Sequence, residues 1–517
     1  MGLRPAPKVG AGTPSVKLNN PSIESRLDHI RTGKRNDASV GGSEAGMPPL
    51  NDLPPLSSLA ADKHGREKLG PIFTPVIETM AAPGDGGAPA TAVEDGPRPE
   101  VRPRSAAELG VRQSIVEDLA IKTVYMGGNM STRELATQMR VSVNVADELV
   151  TRMRNGLLCQ VTGMTGNLLT ITLTDQGRKR GLELLAQSQY VGPAPVSLQS
   201  YVTQVRKQSV RKVVVKKADV ERAFGDLVID SRVLGQIGTG LNSGATIFVH
   251  GPAGVGKTAI AETMSRVLAE DNVWIPYAVE VDGQMISLFD PMIHKRVNAP
   301  EAENCDERWV RCERPSVLVG GELTIEMLDL QFNSSTRFYT GPVQMKANNG
   351  VLIVDDFGRQ RVRPEDLLNR WVVPLDRGID FLTMAGGRKI EMPFEMLVVF
   401  STNLDPADLV DAAFLRRMQT KIRVDTATDE QFRQIFRRVA ARRGLPVDDA
   451  ALNDLIVVIR QGLRQELRAC QPRDLINQVC WAAQYEDRRP ILDPPSLMVA
   501  VEAYFLVPER QKTGNRE

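Results

Sequence analysis

The chain has 517 residues, with 64 lysines and arginines against 63 aspartates and glutamates. So close a balance leaves no global field to draw the protein to nucleic acid or a membrane surface, and any such binding must come from a local patch. No run of about 18 apolar residues offers a membrane-spanning helix, and Cys159, Cys305, Cys312, Cys470 and Cys480 form no CxxC pair, which argues for reduced thiols and against a zinc site.

The opening MGLRPAPKVGAG has no apolar core of a secretory signal. Ala6 stands where a myristoylation signal carries Ser or Thr. A cytoplasmic location is the expectation that follows. Residues 1–105 are rich in Pro, Gly, Ala and Ser, as in PGDGGAPATAVEDG from Pro83 to Gly96. Such a stretch buries too little to offset its ordering entropy, so a disordered arm is expected.

Residues 106–190 are expected to form a small domain of three helices and a hairpin. Leu119 and Ile121 lie in the first helix. Ser131–Glu134 is a capping box for the second. A break at Val141–Ser142 precedes the third, with Val145, Leu149, Val150, Met153 and Leu157 near helical spacing. Cys159–Thr174 reads as two β-prone runs hinged at Gly163–Asn167, and Thr174–Arg178 opens a closing helix. Residues 191–219 read as a basic linker. Arg206–Lys217 holds six cations and no acid, as a solvated tether or a strip that touches phosphates; the tether is the preferred reading.

Residues 220–424 carry buried β-branched runs at Ala245–His250, Val351–Val354 and Leu397–Phe400. Alternation of such strands with helices predicts an α/β domain with a mostly parallel sheet sandwiched by helices. Residues 425–510 turn helical. Thr428–Gln431 is a capping box, Phe432, Ile435, Phe436 and Val439 mark one face, and Gly444 with Pro446 ends the helix.

The chemistry centres on Gly251-Pro252-Ala253-Gly254-Val255-Gly256-Lys257-Thr258, which fits GxxxxGK[ST] between an apolar strand and a helix. The glycines let peptide N–H groups wrap phosphates, and the helix turns its positive end to the anion. Lys257 is placed to reach the β- and γ-phosphates, and the Thr258 hydroxyl to hold Mg²⁺. ATP with Mg²⁺ is therefore the expected ligand. Val351–Val354 ends in Asp355-Asp356. Asp355 is expected beside the loop as the metal's carboxylate, and Asp356 as the group that orients or activates the attacking water.

This order of motifs, with Ser401-Thr402-Asn403 after a third strand, Phe414–Met418, and then a helical domain, resembles the AAA+ ATPases over residues 220–510. Phe338–Pro342 and an apparent hairpin at Gly386–Gly387 are similar to MoxR-like members. The three-helix domain resembles a winged helix. The resemblance implies that Asn403 is a polar sensor of the γ-phosphate or the water, and that Arg416 or Arg417 is a finger reaching a neighbouring subunit's ATP. Arg417 fits the family's register better. Arg473 matches a second sensor at a helix start, with Arg468 its competitor. A homo-oligomeric ring, a hexamer on the family's pattern, is implied, with chaperone-like remodelling of a protein partner as the function. Asp356 departs from the usual Glu and makes hydrolysis less secure than binding. The third helix carries Asp147 and Glu148 beside Arg152 and Arg154, and the hinge of the hairpin has no cation, so protein contact is favoured over DNA. The alternatives are an ATP-regulated DNA-binding factor and a nucleotide-switched scaffold with slow hydrolysis.

Overall fold

A computed structural model describes residues 97–99, 101–166, 168–269, 271–297, 305–406 and 412–505. The expected arm lies outside them up to residue 96. Its last residues are packed onto the fold. Pro99 and Pro103 are buried, Val101 bridges to Cys305, and the Pro103 carbonyl accepts from Ser142 Oγ at 2.9 Å.

The first folded region has the expected helices, Gln113–Gly127 (α1), Thr132–Met139 (α2) and Val143–Asn155 (α3). Ser131 and Glu134 form the capping box that starts α2, and Arg140 at φ 54° stops it. Met130–Ser131 (β1), Cys159–Thr165 (β2) and Leu168–Leu173 (β3) make an antiparallel sheet in the order β1-β3-β2. Thr174 then caps Asp175–Gln187 (α4). Leu119, Val124, Leu135, Leu149 and Ile171 are fully buried in one core, which also takes in Ala278 and Met285 from a later sheet.

The stretch 191–219 is not the tether expected from its charge. It contributes the strand Val196–Ser197 (β4), the helix Leu198–Lys207 (α5) and the start of Lys217–Ala223 (α6). Tyr201, Gln204, Val205, Gln208 and Ser209 are buried. The cations between these residues drew attention to solvent, while the spacing of Tyr201 and Val205 marks the buried face of a helix.

Beyond the helix Ser231–Ser243 (α7) come the strand Ile247–His250 (β5) and the helix Lys257–Leu268 (α8). Asn272–Pro276 (β6), Ala278–Val281 (β7), Gln284–Ser287 (β8), Trp309–Glu313 (β9), Ser316–Val319 (β10), Gln331–Asn333 (β11) and Phe338–Thr340 (β12) follow. Then come Val351–Val354 (β13), the helix Pro364–Arg377 (α9), the hairpin of Ile379–Thr383 (β14) and Lys389–Pro393 (β15), and Leu397–Thr402 (β16). The helix Ala412–Arg417 (α10) leads to Thr420–Arg423 (β17).

Five of these strands form one parallel sheet in the order β10-β13-β16-β5-β17. Alternation along them decides what covers each face. Ile247, Val249, Val351, Ile353, Leu397 and Val399 pack with α6, α7 and α8. Phe248, Leu352, Val354, Val398 and Phe400 pack on the other face with Leu367, Leu368 and Trp371 of α9. The expected α/β sandwich is therefore present. A second sheet, β11-β12-β8-β7-β4, is covered by α5 through Tyr201 and Val205. The Gly386–Gly387 hairpin expected from the sequence joins β14 to β15, with both glycines at positive φ.

The last region is helical: Asp429–Arg442 (α11), Asp449–Val457 (α12), Gln471–Tyr485 (α13) and Pro494–Tyr504 (α14). Thr428 and Gln431 cap α11 reciprocally, and Pro472 occupies the first turn of α13. Val93–Pro508 forms one compact unit.

Candidate functional site

The site lies at the carboxyl edge of the parallel sheet, where β5, β13 and β16 end side by side. The loop after His250 turns sharply at Gly251, φ 146°. A Cβ there would stand 2.0 Å from the Val424 carbonyl, whose own N–H donates to His250 O at 2.9 Å. Only glycine fits between these strands. Gly254, φ 80°, leaves room for the Cys470 thiol, and the Cys470 N–H donates to Gly254 O at 3.0 Å. The loop is thus clasped by the start of α13. Gly256 begins α8 without any side-chain cap, which leaves the helix's first N–H groups open to an anion.

Lys257 is 6% exposed. Its ammonium donates to Gly251 O at 3.0 Å, to Pro252 O at 2.7 Å and to Asn403 Oδ1 at 2.5 Å. Burial lowers its pKa from the usual lysine value, and Asp355 and Asp356 oppose that shift. Thr258 Oγ1 donates to Asp355 Oδ2 at 2.8 Å. Asn403 Nδ2 donates to Asp356 Oδ1 at 2.8 Å. One chain of contacts therefore runs from Lys257 through Asn403 to Asp356, across β16.

The turn that carries the two acids is itself held. Asp356 adopts φ 50°, where an Asp is tolerated better than most residues. Phe357 N–H donates to Ser401 O, and Thr402 Oγ1 donates to Phe357 O, each at 2.7 Å. Gln360 Nε2 donates to Asp355 O at 2.6 Å and its Oε1 accepts from Gly358 N–H at 2.9 Å. Thr258 and Asp355 supply two hard oxygens, a fit for Mg²⁺ but too few for a cage made of protein alone, so phosphate and water would complete the shell.

Beside the loop opens a cavity of about 230 Å³, lined by Val228, Ile229, Val255 and Ile435 together with Asp230, Arg232, Arg423 and Gln431 among others. Its walls mix these apolar side chains with charged and polar ones, a lining that offers both stacking surface and hydrogen-bonding groups. The sequence reading missed it, because its walls come from separate elements. The only local signal was the apolar Val228–Ile229 ahead of the Asp230 cap of α7.

The arginines fall differently from expectation. Arg473 is largely exposed and its Nε donates to its neighbour Asp474 at 3.0 Å. Arg468 instead packs against the loop, its Cδ 3.4 Å from where a Gly254 side chain would begin. Its buried Nε has no hydrogen-bond partner among the described residues. The clasp at Cys470 fixes this, since it brings the residues just before α13, not its first turn, to the loop. Arg417, preferred as the finger, donates from Nε to Asp376 Oδ2 at 3.0 Å within the same chain. Arg416 next to it is exposed.

A family model described as a domain of unknown function (DUF8689) matches residues 428–503. No curated protein matches the chain. Among solved structures, the chain is similar to NtrX from Brucella abortus in complex with ATP, at 15% identity and a TM-score of 0.34, covering 59% of this chain and 61% of that one. It is similar to a mutant of RuvB from Thermotoga maritima at 13% identity and a TM-score of 0.31, covering 56% of this chain and 70% of that one. Domain III of Thermotoga maritima DnaA aligns at 12% identity and a TM-score of 0.32, covering 55% of this chain and 97% of that one.

Proposed function

We propose that this chain is an AAA+-type ATPase that binds ATP with Mg²⁺ through Gly251–Thr258, hydrolyses it, and works as a homo-oligomeric ring, a hexamer, to remodel a protein partner. Residues 220–424 are the nucleotide-binding part and 425–510 the lid. The observation that carries the reading is the convergence of Lys257, Thr258, Asp355, Asp356 and Asn403 from three strand ends. The base would lie in the cavity lined by Val228 and Ile435. Arg468 would meet the phosphates in cis in place of Arg473. Arg416 would serve the neighbouring subunit in place of Arg417, since Arg417 is tied to Asp376. A guanidinium there offsets charge that develops as the γ-phosphoryl group leaves. Bound Mg²⁺ would neutralise phosphate charge.

Residues 106–190 serve in this reading as a winged-helix-like module for protein contact. Arg152 on α3 donates to Gln113, Glu117 and Glu148, so it is spent inside the domain and not free for DNA. The test of the ring is complementation. Asp356→Asn and Arg416→Ala should each be nearly inactive alone yet both bind ATP. Mixed, they should regain part of the activity, because an Asp356→Asn subunit still lends its Arg416. A silent mixture would remove the shared-site reading. A nucleotide-switched scaffold is the second reading, favoured by one observation: Asp356, already shorter than Glu, has an oxygen occupied by Asn403.

A further inference from the structure

The run Arg206–Lys217 carries six cations, Arg206, Lys207, Arg211, Lys212, Lys216 and Lys217, with no acid between them. All six are exposed. The backbone beneath them is pinned. Gln208, Ser209, Val210 and Val215 are buried between the cations. Gln208 Nε2 donates to Trp274 O at 2.8 Å and to Asn349 Oδ1 at 2.9 Å. Ser209 Oγ donates to Glu395 Oε2 at 2.5 Å. The Val215 peptide is bracketed by Asn242, which accepts its N–H at 2.7 Å and donates to its carbonyl at 2.8 Å. Lys212 Nζ reaches back to the Arg206 carbonyl at 2.8 Å and so ties the two halves of the run together.

Few acids answer these charges. Arg211 lies 3.9 Å from Glu395, and Lys217 lies 3.6 Å from Glu221. Arg206, Lys207 and Lys216 make no ion pair among the described residues. In a chain of net charge +1, this is an unbalanced strip held on a rigid frame. The pinned backbone matters because only the cationic side chains, and not the segment that carries them, need ordering when a partner arrives. The strip also sits away from the phosphate loop. Ser209 holds Glu395, which lies just before β16, and Arg211 packs on Gly244, which lies just before β5. Both places are at the amino edge of the sheet, opposite the Gly251–Thr258 loop.

We propose that residues 206–217 form a docking surface for the sugar–phosphate backbone of duplex nucleic acid, bound without regard to sequence. Six exposed cations on a pinned backbone, with Arg206, Lys207 and Lys216 outside any ion pair among the described residues, suit a row of phosphates. No Phe, Tyr or Trp lies within the run, so it has no stacking platform for single strands. Its one strongly exposed apolar residue is Val214, far short of the apolar face with which a helix enters a membrane surface. Groove reading by α3 is not part of this surface. The inference does not depend on the ATPase reading, and concerns where the protein stands rather than what it remodels.

The test is fluorescence anisotropy of a labelled random-sequence duplex with the full chain across a salt series. The expected result is binding whose logarithm falls linearly with log salt, with a slope of about −3 to −5 for roughly four or five phosphates. Scrambling the sequence should leave the affinity unchanged. The triple variant Arg206→Glu, Lys207→Glu, Lys216→Glu should weaken duplex binding by about 100-fold, while its melting temperature and ATP binding stay as in the wild type. Arg154→Glu on α3 should bind duplex like the wild type. Absence of salt-dependent duplex binding overturns the proposal. So does an undiminished triple variant, a preference for single strands over duplex, or binding to phosphatidylserine vesicles in place of duplex.

Discussion

The two edges of the parallel sheet solve opposite problems. At the amino edge, buried polar groups are matched to one another. Asn349 donates to Val205 O at 2.8 Å and accepts from Gln208, while Arg314 bonds the carbonyls of Gln208 and Asn349 and pairs with Asp271. Asn348 donates to Tyr201 Oη and Pro393 O, each at 2.9 Å. At the carboxyl edge the polar groups gather around the phosphate loop instead. Lys257 is held by two loop carbonyls and a side chain, and Arg468 Nε is unpartnered among the described residues. A satisfied buried network fixes structure. A set of donors that an anion can take over is what a binding edge requires.

The largest expected break in this contrast is Lys257→Ala. ATP affinity, read by calorimetry, should fall by about 100-fold or more with the loss of a charge-assisted donor, while thermal stability changes little. Asn349→Ala should do the reverse. Leaving Val205 O and Gln208 unpaired costs on the order of 2–3 kcal/mol, seen as a lower denaturant midpoint, with ATP affinity unchanged where the variant is folded. Equal effects of both variants on both readouts would erase the distinction between the edges. Arg468→Ala should lower ATP affinity or turnover by about 10-fold, with Arg473→Ala close to the wild type. The reverse order would return the cis role to Arg473.

The smallest effect is a pH dependence. Burial depresses the Lys257 pKa below 10.5, and bound phosphates should raise it again. The charged lysine binds, so ATP affinity should hold below the depressed pKa. It should decline as pH rises through that value towards the higher pKa of the bound state. The decline should vanish in Lys257→Ala.

Much of the carboxyl edge was legible from sequence because strand-end motifs are local. Gly251–Thr258 follows its strand directly, Asp355-Asp356 ends another, and Asn403 a third, so parallel pairing alone brings them together. What was not legible depends on contacts between distant segments. Arg468 meets the loop only because Cys470 bonds Gly254, and Arg417 is withdrawn by Asp376 from α9. The amino edge misled for a different reason. In Arg206–Lys217 surface charge masks a buried set, Gln208, Ser209, Val210 and Val215, two of them polar and therefore silent in an apolar pattern.

The most direct measurement of the central claim is single-turnover conversion of ATP by the wild type and by Asp356→Asn, with ATP binding measured on the same samples. Both should bind with affinities within a few-fold, and only the wild type should convert its ATP. Conversion at equal rates, or failure of the wild type to bind ATP, would contradict the assignment of this strand-end cluster as a hydrolytic centre.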